Sequence, residues 1–442
     1  MSTLKLDNYR WVIATMGVLL QLCLGTVYAW SYFQKPLMIT CGWANTPVAW
    51  IFSLTILFLS LGAAAGGILL PKYGPRLLAM TGGALFSIGY LLAALALHIK
   101  SLPLLYIGYG VIGGTGLGLG YVTPVATVAK WFPDKKGLVT GMVVMGFGFG
   151  ALLMSKVFAP LLMAWAQNNL VTVFGSLGVI FLCLTLPVAF FLRNPPAGYC
   201  PADYRPPESA SGQGAIPEPD TRQLIRPDIV AMIWVVFFCN IVAGIMFIGF
   251  QSPMLQDILK TIDGTLSAER LASYGATLIA VSSLFNGVGR FFWGGLSDRI
   301  GRIPTFRTML GTQIIVFAVL TILGNRINPW LFSILVCYVL FCYGGGFGTM
   351  PSLVLDIFGI KFMAVMYGSI LSAWGIGGIV GPQLVALIKD HYPQQASVLS
   401  FSLGTAFLIV GFIISLFLTR SRLQVRPVSS GNDPQRGIKK MV

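Results

Sequence analysis

Charge is scarce in this sequence. Asp, Glu, Lys and Arg make up 10% of the 442 residues, and histidine occurs twice. A chain so poor in charge cannot cover a water-facing surface of ordinary composition. Acids are the scarcest charges, 14 against 29 basic residues, and all fall in loops or at the ends of apolar runs. That excludes an antiporter working through a membrane-embedded carboxylate. The seven cysteines are odd in number and form no CxxC pair, which excludes a disulfide framework or a cysteine metal site. His98 and His391 stand singly, at the ends of apolar runs. A Walker motif and a nucleophile elbow are both lacking, so neither an ATP-driven pump nor an enzyme is expected, and no cofactor or metal is implied.

What fills the space is apolar: 56% of the residues are hydrophobic, in stretches of 18 or more. Twelve such stretches recur, roughly 11–33, 49–70, 77–98, 103–128, 138–160, 171–192, 229–252, 274–296, 306–323, 330–350, 366–388 and 398–419. Each is long enough to cross a bilayer as a helix, and none alternates as a β-barrel strand does. The expected class is an all-α membrane protein with twelve transmembrane helices. The first stretch is too long for a signal-peptide core and has no small-residue cleavage site behind it, so it is expected to stay as an anchor.

A net charge of +15 raises the question of nucleic acid, and its distribution answers it. With the N-terminus placed inside, the inner segments carry 21 Lys and Arg and the outer loops 6. The remaining two, Lys156 and Arg290, lie within spans. This is the positive-inside bias, and it predicts both termini in the cytoplasm. The basic tail 421–442 is read as a solvated, topology-setting segment, with contact to anionic lipid as the second reading.

Residues 193–228 interrupt the pattern with Pro, Gly and Ser, as a linker would. The expected organisation is a six-helix bundle over 1–192, a cytoplasmic loop over 193–228, a second bundle over 229–420 and the tail. The two bundles resemble each other at a constant offset of 227 residues. Gly67, Pro124, Gly141 and Gly150 fall on Gly294, Pro351, Gly368 and Gly377, and Gly74-Pro75, followed by Arg76, falls on Gly301-Arg302. Many secondary transporters are built from repeated halves that rock about a midplane site.

Arg290 has no acid within seven positions and lies eight residues before Asp298, about 12 Å from the inner end of its span. An ionisable group at that depth is a functional-site hypothesis by default. It stays charged, and its fork matches a carboxylate. With every acid at a span end, the expected partner is an anionic substrate. The competing reading is an arginine snorkelling to the headgroups past Phe291, Phe292 and Trp293. Asn286, one turn earlier, shares its helix face. Lys156 has two readings, a lysine snorkelling outward and a titratable proton carrier. The glycine runs 113–121 and 146–150 follow no strand and are read as close helix contacts, not nucleotide loops.

The run "GGLSDRIGR" resembles the signature of the major facilitator superfamily. The resemblance implies that Asp298, Arg302, Gly294 and, in the first half, Arg76 belong to a conformational clamp. Pro71 stands where the first copy would carry its acid. "KWFPDKKGLVTG", "LFNGVGRFFWGGLSDRIGR" and "DIFGIKFMAVMYG" further resemble the oxalate/formate antiporter family, which is related to the proton-linked monocarboxylate carriers. That resemblance implies pocket contacts at Tyr28, Tyr121 and Tyr343, each otherwise a packing aromatic, and apolar lining from Phe347 and Leu371. Monocarboxylate carriers usually hold an aspartate at the place of Asn286, so the route of any proton stays open. Oxalate exchangers hold a second cation where Trp374 stands here. One cation among apolar walls suits a small monoanion such as lactate, pyruvate or formate. The expectation is a bacterial-type inner-membrane carrier, acting as a single chain, with proton symport as the leading coupling mode. The alternatives are an oxalate/formate-type exchanger and a membrane sensor that kept the carrier fold.

Overall fold

In hydrocarbon the backbone must satisfy its own hydrogen bonds, so long apolar stretches become helices. The computed structural model describes residues 3–196, 199–201 and 227–418, except the side chains of 3–7, 136–138, 325 and 359–365. Most of the linker and the basic tail therefore lie outside the described residues, as does the tail's reading as a lipid contact.

Among the described residues, eleven helices are long and apolar enough to cross a membrane. One of them, Asn45–His98, runs 54 residues, more than twice the span of a bilayer core. It breaks at Gly74, whose φ of 76° and ψ of 164° are not helical. Twelve spans result. In the first half they are α1 (Asn8–Cys41), α2 (45–73), α3 (75–98), α4 (Leu102–Trp131), α5 (Val139–Trp165) and α6 (Leu170–Phe191). In the second they are α7 (Pro227–Ile262), α8 (Ala268–Ile300), α9 (Arg302–Leu323), α10 (Pro329–Phe358), α11 (Met366–His391) and α12 (Pro393–Phe417).

The repeat seen in the sequence has a conformational counterpart. Gly301, the equivalent of Gly74, has φ 95° and ψ 154°. Both turns need a left-handed residue without a side chain, which is why glycine stands at both. Prolines 124 and 351 both sit inside helices. Departures from α geometry occur in the first half: a 3-10 turn at Gly25–Ala29 in α1 and π segments at Tyr106–Gly113 and Met154–Phe158.

Burial separates central from peripheral helices. Two thirds of the apolar windows of α1, α7 and α11 are covered, against 28% for α12 and 33% for α9. The glycine run of α4 behaves as expected: a side chain at Gly118 would strike the backbone of Leu59 and Ala63, and one at Gly116 the backbone of Phe86.

The halves meet through α1 with α7, α2 with α11, and α5 with α8. They are fastened on the face opposite the chain termini. Asp257 of α7 holds Lys35 of α1 at 2.7 Å and Lys389 of α11 at 2.6 Å. Asp390 of α11 accepts from the backbone N–H groups and side chains of Asn45 and Thr46, capping α2 from the other half. Gln383 donates to Ser53. On the terminal face the equivalent glycines Gly141 and Gly368 have no described neighbour within 4 Å of where a side chain would start.

Candidate functional site

The site lies where the halves face each other midway along the spans. Arg290 of α8 is 3% exposed, so it does not snorkel to the headgroups. Its Nη1 donates to the carbonyl oxygen of Val144 in α5 at 3.2 Å. Among the described residues its Nε and Nη2 are buried without hydrogen-bond partners. The guanidinium lies 5.1 Å from the ring centre of Phe347 and 5.9 Å from that of Phe147. These two rings come from different halves, α10 and α5. A cation facing aromatic π surfaces gains some stabilisation, yet two of its donors stay unused.

Around it six rings form one network. Tyr28 meets Phe147 at 5.1 Å, Tyr343 at 6.0 Å and Trp374 at 6.5 Å. Tyr121 meets Phe147 at 5.1 Å and Trp374 at 5.4 Å. Phe347 meets Tyr343 at 5.2 Å and Trp374 at 4.8 Å. The first half supplies Tyr28, Tyr121 and Phe147, and the second supplies Tyr343, Phe347 and Trp374. The Tyr28 and Tyr343 hydroxyls bond each other at 2.8 Å across the divide. The Trp374 indole N–H is buried and unpartnered.

Five of the residues picked out in the sequence, Tyr28, Tyr121, Tyr343, Phe347 and Trp374, thus meet around Arg290. Phe147 was missed because it lies inside the glycine run 146–150. The repeat held the signal: 147 plus 227 is 374, so Phe147 is the counterpart of Trp374, and their rings lie 6.3 Å apart. Val144 is the counterpart of Leu371, which is 3% exposed and packs in the same core.

Asn286, 2% exposed, sits one turn from Arg290 with its Oδ1 unpartnered. With Tyr28, Gln251, Ser282 and Ser283 it lines a small cavity on the side away from the termini. Just beyond, α8 and α5 touch: Ser283 donates to the Gly148 carbonyl, and the Leu152 N–H donates to Ser283 Oγ at 3.2 Å. Lys156 lies outside this cluster. Its Nζ donates to Thr277 of α8 at 2.6 Å, about 18 Å along α5 from the level of Val144.

The clamp residues sit at the terminal face. Arg302 reaches Asp298 at 2.5 Å and Asp356 at 3.0 Å, tying the end of α8 to the end of α10. Gly294 packs beside the Gly348 carbonyl of α10. Among the described residues Arg76 has no such acid, and it lies 4.2 Å over the ring of Phe190. Asn240 links α7 to α9 and α10 through Gln313 and the Cys342 carbonyl, a structural polar contact. Among the described residues no group of three or more His, Cys, Asp or Glu could hold a metal.

The chain is similar over most of its length to proteins that move small organic anions. It is 27% identical to the oxalate:formate antiporter of Oxalobacter formigenes, over 93% of this chain and 93% of that one. It is 28% identical to apicoplast pyruvate carrier 1 of Toxoplasma gondii (84% and 82% covered) and 26% identical to human monocarboxylate transporter 11 (84% and 75%). The crystal structure of a D-xylose-proton symporter shares the fold, with a TM-score of 0.69 at 14% identity over 96% of this chain and 99% of that one. The sequence model of the Major Facilitator Superfamily matches residues 10–382. With twelve spans in two repeated halves and a sequence that matches the family model over most of its length, the chain is an integral membrane transporter, not an enzyme, and belongs to the Major Facilitator Superfamily.

Proposed function

We propose that the protein carries a small monocarboxylate such as lactate, pyruvate or formate by alternating access, with Arg290 binding the carboxylate. The observation behind this reading is a buried guanidinium with two unpartnered nitrogens, enclosed by rings of both halves. A carboxylate placed there would take the free donors as charge-assisted bonds. Among the described residues no carboxylate pairs with Arg290, so the substrate supplies the counter-charge. Tyr28, Tyr121 and Tyr343 offer hydroxyls, and Asn286 offers an amide. Phe147, Phe347, Leu371 and Trp374 form walls that fit a short alkyl group and leave a second carboxylate unmatched. The last point favours a monoanion over oxalate, the substrate in the name of the Oxalobacter relative.

The halves 1–192 and 229–420 act as the rocking bodies, joined by the loop 193–228. The positive-inside bias favours a cytoplasmic terminal face, with the fastening through Asp257 and Asp390 outside; in this reading the protein sits in a bacterial inner membrane and works as one chain. In this reading the structure is closed outward, and Asp298, Arg302, Gly294 and Arg76 belong to the cytoplasmic clamp. Proton symport is the coupling we favour, because a monoanion moved with a proton is driven inward by the proton gradient. Asn286 does not titrate, which leaves the proton to the substrate, to water or to Lys156.

The test is ligand titration with thermal stability on wild type, Arg290→Ala and Arg290→Lys. Lactate or a similar monoanion should stabilise wild type, and oxalate should do so weakly. Losing a charge-assisted pair in a desolvated site costs roughly 2–5 kcal/mol, so Arg290→Ala should bind at least about 30-fold more weakly while staying folded. Arg290→Lys, keeping the charge without the fork, should fall between. Near-wild-type affinity in Arg290→Ala would remove this reading.

A further inference from the structure

The offset of 227 exposes an asymmetry at the terminal face. In the second half Arg302 is neutralised by two acids, Asp298 and Asp356. The equivalent positions in the first half are Pro75, Pro71 and Ala129. None of these three charges has a charged counterpart there. Two cations remain beside the Gly74 turn, Lys72 and Arg76, both exposed. Lys72 lies 5.2 Å over the ring of Tyr73, and Arg76 lies 4.2 Å over that of Phe190 from α6. Among the described residues neither has a carboxylate partner.

The surroundings are those of a lipid-facing surface at headgroup depth. Tyr73 is 49% exposed, Phe190 51% and Leu77 54%. Ile68, more than one turn deeper on α2, is 78% exposed, where acyl chains would lie. Aromatic side chains with cations beside them are what the membrane–water boundary selects. A guanidinium stacked on a ring keeps its N–H edge free, and that edge matches a phosphate bidentately.

We propose that Lys72 and Arg76, flanked by Tyr73 and Phe190, bind the phosphate headgroup of an anionic phospholipid in the leaflet at the terminal face. The lipid phosphate there supplies the negative charge that Asp298 and Asp356 supply in the other half. Proline at 71 and 75 and alanine at 129 leave this half no acid of its own at the clamp, so its charge is completed from the membrane.

The test is native mass spectrometry of the purified full chain after delipidation and re-addition of phosphatidylglycerol or phosphatidylcholine. Wild type should retain phosphatidylglycerol in preference. Each basic residue near an anionic surface contributes roughly five-fold, so Lys72→Ala/Arg76→Ala should lower retention by about 30-fold. Arg299→Ala removes the equivalent of Lys72 in the other half, beside Asp298, and should leave retention unchanged. Arg76→Gln alone covers the case in which the double variant fails to fold, with about a five-fold loss. Wild-type retention in the Lys72 and Arg76 variants, or an equal loss in Arg299→Ala, would overturn the site. Equal thermal stabilisation by inorganic phosphate alone would overturn its assignment to lipid. None of these readouts depends on carboxylate transport.

Discussion

The hydroxyls of Tyr28 and Tyr343 meet at 2.8 Å across the boundary between the two halves, and their rings belong to the network around Arg290. This bond has to break when the halves part on the side away from the termini. A buried neutral hydrogen bond contributes about 1 kcal/mol net. Tyr28→Phe and Tyr343→Phe should each shift the balance away from the present conformation by about five-fold. The double variant should be scarcely worse than either single one. Additive single effects, in a cycle read by distance measurements between spin labels on α2 and α11, would show that the bond carries no coupling.

Trp374 packs 4.8 Å from the ring of Phe347, which itself faces the Arg290 guanidinium. Trp374→Lys would place a second cation there. Two cations in one dry site repel, so the variant alone should melt at a lower temperature than wild type. Oxalate should restore the loss, and lactate should bind about ten-fold or more weakly as its apolar wall disappears. Calorimetric titration with both anions checks this. Undiminished preference for lactate would mean that Trp374 does not set the charge of the ligand.

Asp257 is the one carboxylate holding both Lys35 and Lys389, and only Lys35 lies in the first half. Parting of the halves therefore breaks the Lys35 bond and leaves the Lys389 bond. Asp257→Asn weakens the fastening before any motion begins. Exposed pairs are worth about 0.2–1 kcal/mol each, so opening should become about 1.4- to five-fold more frequent. Ser31 is buried on α1 beneath this contact. A Ser31→Cys probe, in a background without reactive cysteines, should be labelled correspondingly faster by a thiol reagent added to the face away from the termini. Unchanged labelling would show that Asp257 is not part of the fastening.

Gly148 and Gly141 lie two turns apart on α5 and meet different surroundings. A side chain at Gly148 would strike the backbone of Gly287 in α8, whereas one at Gly141 meets nothing here. Gly148→Ala should therefore destabilise the present conformation, by about 1–3 kcal/mol for an overpacked contact. Gly141→Val should leave it intact and obstruct the state in which the terminal face closes. Substrate affinity should survive Gly141→Val while counterflow in proteoliposomes falls. Full flux in Gly141→Val would show that α5 and α11 do not approach there.

The twelve spans, their grouping into two halves and the singularity of Arg290 were legible in the chain alone. Apolar length is read directly against bilayer thickness, and a cation without a nearby acid is a local property of the sequence. Even the equivalence of Gly74 and Gly301 was visible as spacing, because a left-handed turn has few residues to choose from. The tertiary structure decided which faces meet. Sequence periodicity cannot tell a packing aromatic from one turned to the site, since both are buried and apolar. The folded chain joined Tyr28, Tyr121, Tyr343, Phe347 and Trp374 in one ring network beside Arg290 and added Phe147 from within the glycine run 146–150. It also put Lys156 on Thr277 and, among the described residues, left Lys72 and Arg76 without acids, because pairing between charges depends on which helices lie side by side. That arrangement is set by the packing of two halves against each other, and no single helix encodes it.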